Sequence, residues 1–183
     1  MVVTLSCVCC GETLTRTTNR KDAKSGEQLR VAECSSCGLV QQSPMPTSDE
    51  LEVFYSHTYR EDYKSVYQPA VKYVCRAGRV AIERLAWMTE VLGEQHGASL
   101  LDVGAGGGEF VYCASRFGYQ SRGIEPNVGY SVFAKEQYGV DIKTAMLGEL
   151  EPSSVDLVTM FHVLEHIASP LEVSKLLWED RKS

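Results

Sequence analysis

The sequence has no long hydrophobic run: no stretch of its 183 residues approaches the roughly 20 consecutive apolar positions that cross a bilayer. Met1 to Ser6 carry no charged leader and no long apolar core, so they do not read as a secretory signal. There is no basic excess. Eighteen Lys and Arg stand against 24 Asp and Glu, a formal charge of −6, which counts against a nucleic-acid binder and against an electrostatic membrane anchor. Repeats, low-complexity tracts and coiled-coil heptads are also missing. What is present is 44% hydrophobic and 23% charged residues. That composition suits a packed core in one ordinary domain, or a small domain joined to part of a larger one. The expected location is cytoplasmic.

Cysteine is plentiful, and spacing decides how the seven are used. Cys7-Val8-Cys9-Cys10-Gly11 and Cys34-Ser35-Ser36-Cys37-Gly38 repeat one C-x-x-C-G pattern, with 23 residues between them. Two such knuckles read as a structural zinc site with four thiolate ligands, Cys7, Cys10, Cys34 and Cys37. The glycine after each pair permits the tight turn that aims backbone N–H groups at sulfur. A redox pair or disulfides would not explain why the pattern occurs twice. Cys9 is an extra thiol; Cys75 and Cys113, in helical contexts, read as core residues. Residues 21–26 form a hairpin tip and 39–42 a last strand. Residues 1–40 carry five basic and four acidic side chains, so this ribbon lacks the basic face of a nucleic-acid finger.

The run Leu100 to Val103 reads as a short buried strand, Gly104-Ala105-Gly106-Gly107-Gly108 as a tight turn, and Glu109 to Phe117 as the start of a helix. Strand, glycine turn and helix bring backbone close to a nucleotide-like ligand. The dinucleotide pattern is G-x-G-x-x-G. Here position 109 is Glu, and an acid, Asp102, precedes the turn. A pyrophosphate disfavours a carboxylate there, whereas a cationic ligand with an amino group favours it. About 20 residues on, Gly123-Ile124-Glu125-Pro126-Asn127 forms a second strand ending in an acid, where a carboxylate accepts hydrogen bonds from ribose hydroxyls.

This pair of motifs resembles the class I S-adenosylmethionine-dependent methyltransferases. The resemblance implies a cofactor site made of Asp102, Gly104, Ala105, Gly106, Gly108, Glu125 and Pro126. Many members of that family place an acid after the third strand. None stands there in this sequence, so Met146 or Leu147 is expected to pack on the adenine ring.

A helix is expected from about 66 to 95, with Val71, Val74, Gly78, Ala81, Leu85, Met88 and Leu92 as its core-facing stripe. Strand 100–103, helix 108–117, strand 120–124, helix 128–138, strand 140–144, strand 155–161 and helix 169–179 follow. Strands alternating with helices predict parallel pairing and right-handed crossovers. The expected fold is α/β: a Rossmann-like methyltransferase core, truncated after its fourth strand, with an N-terminal zinc ribbon and a helical linker. The expected domains are a ribbon over 1–46, a tyrosine-rich linker or lid over 47–97, and a partial cofactor-binding domain over 98–183. In the linker, Ser48 is the expected helix cap. Phe54, Tyr55, His57, Tyr59, Tyr63, Tyr67 and Tyr73 suit interdomain packing and a lid. An unpaired edge on the fourth strand invites a partner chain or self-association.

Residues 155–166, VDLVTMFHVLEH, resemble the family's fourth strand and the turn after it. The resemblance delivers Phe161 and His162 to the reacting end of the cofactor. His162 to His166 also spells H-x-x-E-H, a zinc-protease motif, but that motif needs both histidines on one helix face and here it begins at a strand end. Glu165 and His166 suit fixing the turn and capping the next helix, or holding a divalent ion. Transfer to oxygen or carbon requires removal of a proton; His162, His166, Glu165 and His57 are the candidates. The order of ribbon, Pro44-Met45-Pro46 boundary, tyrosine-rich segment and core is similar to the N-terminal part of the zinc-containing C-methyltransferases of nucleotide-linked deoxysugars. The expected function is methyl transfer from S-adenosylmethionine to a small-molecule acceptor. The rivals are a non-catalytic cofactor-binding fragment or assembly subunit, a zinc-ribbon binding module, and a nucleotide-dependent oxidoreductase.

Overall fold

The computed structural model describes residues 5–23, 26–47, 50, 70–146, 155–171 and 173. These fall into two units, one of residues 5–50 with 165–173 and one of residues 70–146 with 155–164.

In the first unit, β1 (Arg16–Lys21), β2 (Gln28–Glu33) and β3 (Val40–Gln42) form an antiparallel sheet in that order. The hairpin turns where the sequence predicts, with the Gly26 N–H donating to the Asp22 carbonyl at 3.0 Å. Every residue of β1 is exposed, so this sheet cannot build a conventional core. Its buried cluster is Cys7, Leu14, Ala32 and Cys34. Buried Gln41 adds a polar tie: its Oε1 accepts from the Val8 N–H at 2.9 Å and its Nε2 donates to the Ser6 carbonyl at 3.3 Å. Ser48, the expected cap, lies outside the described residues. Thr47 and Glu50 make the reciprocal bonds of a capping box: the Thr47 N–H donates to Glu50 Oε2 at 2.8 Å and the Glu50 N–H to Thr47 Oγ1 at 3.2 Å.

The second unit contains α1 (Val71–Leu92), β4 (Ser99–Val103), α2 (Glu109–Arg116), β5 (Gln120–Glu125), α3 (Val128–Tyr138), β6 (Ile142–Thr144) and β7 (Leu157–Met160). Its four strands are all parallel, in the order β6-β5-β4-β7. β4 sits inside the sheet with both faces covered, so Leu100 to Val103 are all buried without alternation, Asp102 being the one acid among them. Asn127 caps α3 by accepting from the N–H groups of Gly129 and Tyr130, and left-handed Gly139 ends it.

Ala81, Leu85 and Met88 of α1 pack with Leu100, Phe110, Ala114 and Tyr119 on one side of this sheet. Leu101, Val103 and Ile124 pack with Val155, Val158, Met160 and Val163 on the other. Because side chains alternate along a strand, Leu100 and Asp102 share the α1 side with Leu157, Thr159 and Phe161.

Several expectations are corrected here. α1 is shorter than predicted at its C-terminal end, stopping at Gly93. Only the middle of its expected stripe is buried: Val71 is 76% exposed and Leu92 44%. Cys75 is exposed and so is not the core residue predicted, whereas Cys113 is half-buried and packs against the α1-side core cluster. β6 and β7 are shorter than expected, since 140–141 precede β6 and 155–156 and 161 flank β7. Of helix 169–179, residues 170, 171 and 173 are helical and 172 and 174–179 lie outside the described residues. The tyrosine-rich segment lies outside them too, apart from Tyr73. No helix among the described residues is long and apolar enough to cross a membrane.

Leu85 is fully buried, so Leu85→Ala should lower the unfolding free energy by about 2–5 kcal/mol. Ile82→Ala, at a half-exposed position, should change it by about 0.5 kcal/mol or less. Urea denaturation of both variants checks the core assignment.

Candidate functional site

The C-terminal ends of β4, β5 and β7 bring together the residues that the sequence singles out. Asp102 is 3% exposed and Glu125 6%. Glu125 is held by backbone on both oxygens: Oε2 accepts from the Gly106 N–H at 2.9 Å and Oε1 from the Asn127 N–H at 3.0 Å. The strand-end acid therefore fixes the glycine turn. The turn is also tied to β5 by the N–H groups of Gly104 and Ala105, both donating to the Ile124 carbonyl at 2.9 and 3.0 Å.

Two of its glycines are required. Gly104 (φ 71°) lies against Val163, and Gly108 (φ 85°) is the left-handed residue that starts α2, where an added Cβ would come within 2.6 Å of the Ala134 methyl. Pro126 is exposed, while Asn127 Nδ2 is buried with no hydrogen-bond partner among the described residues.

Asp102 has a different environment. Thr159 Oγ1 donates to its Oδ1 at 2.7 Å, across the register that sets Asp102 opposite Thr159. Burial pushes the Asp102 carboxyl up to about 7; the Thr159 bond and the Arg84 charge oppose that rise and Glu125 adds to it. Burial also raises Glu125, against the two backbone N–H bonds. Arg84, on α1, lays its guanidinium over the Phe161 ring, 3.8 Å from the centroid. Phe161 in turn meets Phe110 edge-on at 4.8 Å. Arg84 and Thr159 were not picked out from sequence. Their signals were a cation one turn from the buried positions of α1, and a hydroxyl on β7 level with Asp102.

The other predicted residues are placed less decisively. His162 is exposed just beyond β7, with a left-handed backbone (φ 58°). Ala145 is buried, its N–H donating to the Glu125 carbonyl at 3.3 Å, and Met146 beside it is 48% exposed. Glu165 and His166 are exposed in a short 3-10 turn, Leu164–His166. His57 and Leu147 lie outside the described residues.

The ribbon unit holds a second site. Cys7, Cys10, Cys34 and Cys37 place all four sulfurs within 4.8 Å of one another. Cys7 Sγ lies 3.6 Å from Cys37 Sγ, and Cys10 Sγ 3.5 Å from Cys34 Sγ. The knuckles repeat one hydrogen-bond pattern: the Cys7 N–H donates to the Glu12 carbonyl and the Cys34 N–H to the Leu39 carbonyl, each at 2.8 Å. The backbone N–H of Cys37 helps to draw Cys34 down to about 7. Among the described residues this is the one cluster of three or more His, Cys, Asp or Glu able to hold a metal. Cys9 is exposed beside it.

Known proteins give the following comparisons. A family described as a methyltransferase domain matches residues 72–177. A ubiquinone biosynthesis O-methyltransferase from Aeromonas salmonicida (strain A449) is 32% identical over 103 residues, covering 51% of this chain and 43% of that protein. The chain thus spans less than half the length of that relative. The crystal structure of magnesium protoporphyrin IX methyltransferase from Synechocystis PCC 6803 with bound SAH aligns at a TM-score of 0.50 and 19% identity, over 73% of this chain and 66% of that one. Coclaurine N-methyltransferase bound to N-methylheliamine and SAH aligns at 0.50 and 15%, over 75% and 49%. At these identities the likeness is one of fold.

The Asp102 carboxyl ionises near 3.9 in an unfolded chain and about 7 in the folded one. Between those values the unfolded state binds fewer protons, so stability falls as pH rises. Asp102→Asn should remove this slope and raise stability at pH 8 by about 1–3 kcal/mol. Thermal melts across pH check this; equal slopes in both proteins would contradict it.

Proposed function

This chain belongs to the methyltransferase-domain family, and we propose that it binds S-adenosylmethionine at the ends of β4 and β5 and directs methyl transfer to a small-molecule acceptor. The observation that carries this reading is the pair of buried carboxylates, Asp102 and Glu125, on either side of a left-handed glycine turn. They suit a ligand with a cationic amino group and a ribose, and the unpaired Asn127 Nδ2 beside Glu125 suits a polar one.

When bound, S-adenosylmethionine supplies a methyl group on a sulfonium, which needs little activation to leave. The chain's part is to bind and align. In our reading Asp102 accepts from the amino group, and Arg84 supplies the cation for the neighbouring carboxylate. Gly104, Ala105, Gly106 and Gly108 allow close backbone approach. Glu125 accepts from ribose hydroxyls, with Pro126 and Met146 beside the adenine. Phe161 excludes water at the reacting end, next to His162. We assign proton removal from the acceptor to His162, which follows directly on the strand that holds Thr159 and Phe161, ahead of Glu165, His166 and His57.

We also propose a structural zinc ion on Cys7, Cys10, Cys34 and Cys37. Zn–S bonds of about 2.3 Å put tetrahedral sulfurs about 3.8 Å apart, close to the 3.5 and 3.6 Å found here. Reduced thiolate ligands suit a cytoplasmic setting. The ribbon-then-core order suits a nucleotide-linked sugar as acceptor.

Titration calorimetry with S-adenosylmethionine tests the first proposal. Saturable binding is expected, with Glu125→Gln weakening it roughly tenfold or more, the loss of 1.4 kcal/mol or above. No binding by a folded protein sinks the reading; binding without turnover on any acceptor sinks the catalytic half alone. Elemental analysis should find one zinc per chain, lost in Cys34→Ser. A chelator should unfold the ribbon, whose apolar cluster is small; a ribbon unchanged by metal removal would rule zinc out as its staple.

A further inference from the structure

We propose that the outward side of α1 is a self-association surface, through which two copies of this chain pair their α1 helices antiparallel across a two-fold axis. One observation is exposed apolar surface. Away from Ala81, Leu85 and Met88, Tyr73 is 57% exposed, Trp87 62% and Val91 58%, with half-buried Val80 between them. Their spacing puts all four on one side of the helix, so they form a stripe rather than scattered single residues.

The other observation is the order of charge along the same helix. Lys72, Arg76 and Arg79 occupy its first half, and Glu83 and Glu90 its second, where the one cation, Arg84, is turned to Phe161. The helix dipole favours the reverse, acids at the N-terminus and bases at the C-terminus. α1 has no acid in its first turn, no base in its last and no side-chain N-cap. The charge order therefore weakens the helix that carries it. Pairing within the helix relieves little of this: Arg79 Nε lies 3.7 Å from Glu83 Oε1, with both side chains about two-thirds exposed or more.

A second α1 running the other way turns the same order into attraction. Positions 72 and 90 are equidistant from residue 81, and so are 79 and 83. A two-fold axis near Ala81 sets Lys72 against Glu90 of the second copy and Arg79 against its Glu83, and repeats each pair. Parallel pairing would set like against like. These two pairs, 72 with 90 and 79 with 83, become complementary only when the same sequence is reversed, which selects a second copy over an unrelated helix.

The test is sedimentation velocity of the full chain over a concentration series. Wild type should show a concentration-dependent dimer. The acidic variant (Lys72→Glu with Arg79→Glu) and the basic variant (Glu83→Lys with Glu90→Lys) should each sediment as a monomer, with self-association weakened roughly tenfold or more. Mixing the two should restore a dimer. Should a charge variant lose its helical circular dichroism, Trp87→Lys replaces it and should also be monomeric. A wild type that stays monomeric overturns the proposal, as does a dimer that these variants leave intact, or a mixture that stays monomeric.

Discussion

The α/β unit is organised around two carboxylates buried at the ends of adjacent parallel strands. Removing a charged carboxylate from water is costly unless hydrogen bonds or a cation replace the lost solvation. Glu125 is answered by the N–H groups of Gly106 and Asn127. Those bonds fix the turn after β4 and the start of α3. Asp102 is answered by one hydroxyl, Thr159, and by the charge of Arg84. Its carboxyl stays well above the ordinary range because these do not match its burial. The glycine turn follows from this constraint. The backbone must double back toward β5 for Gly106 to reach Glu125, and that path passes through left-handed conformations at Gly104, Gly106 and Gly108.

The ribbon meets the converse constraint. Four thiols within 4.8 Å cannot all ionise without a cation between them, and the unit that carries them has too little buried apolar surface to hold the arrangement by burial. Its regularity comes from repetition. Each knuckle closes with the same backbone bonds, Gly11 N–H to the Cys7 carbonyl and Gly38 N–H to the Cys34 carbonyl, both 2.9 Å. Gln41 then ties one knuckle to β3, a buried amide working where a small domain lacks apolar contacts.

What could be read in advance followed from features local to the chain. Strand, glycine turn and helix lie within a few residues of one another, so the β4-α2 and β5-α3 units and the two acids were visible in the sequence. α3 was placed to the residue because both its signals are local, Asn127 at one end and Gly139 at the other. The misses involve partners far apart in sequence. Thr159 is 57 residues from Asp102, and only the parallel register of β4 with β7 makes them neighbours. Arg84 looks like any solvent-facing cation until Phe161 is brought beneath it. Cys75 reads as a core residue because free cysteine is usually buried, yet its place on α1 is exposed, while Cys113 does pack against the core. Ser48 drew attention as a cap because it precedes two acids. Thr47 with Glu50 is the box, a spacing signal that composition alone obscures.

α1 joins these strands of argument. Its local signals are poor: Ala70 offers no capping oxygen and the charges oppose the dipole. It is nevertheless 22 residues long, so its stability comes from tertiary packing rather than propensity. That packing is Ala81, Leu85 and Met88 on the core, and Arg84 lies within about one turn of each of them. The cation whose charge acts on Asp102 is thus carried by a helix that holds its place through contacts with β4 and α2. Arg84 cannot be presented to Phe161 and Asp102 unless α1 is docked, and α1 has little reason to be helical when it is not. Formation of the core and electrostatic completion of the carboxylate site are consequently one event in this unit, and loss of α1 packing removes a charge from the site as well as apolar contacts from the core.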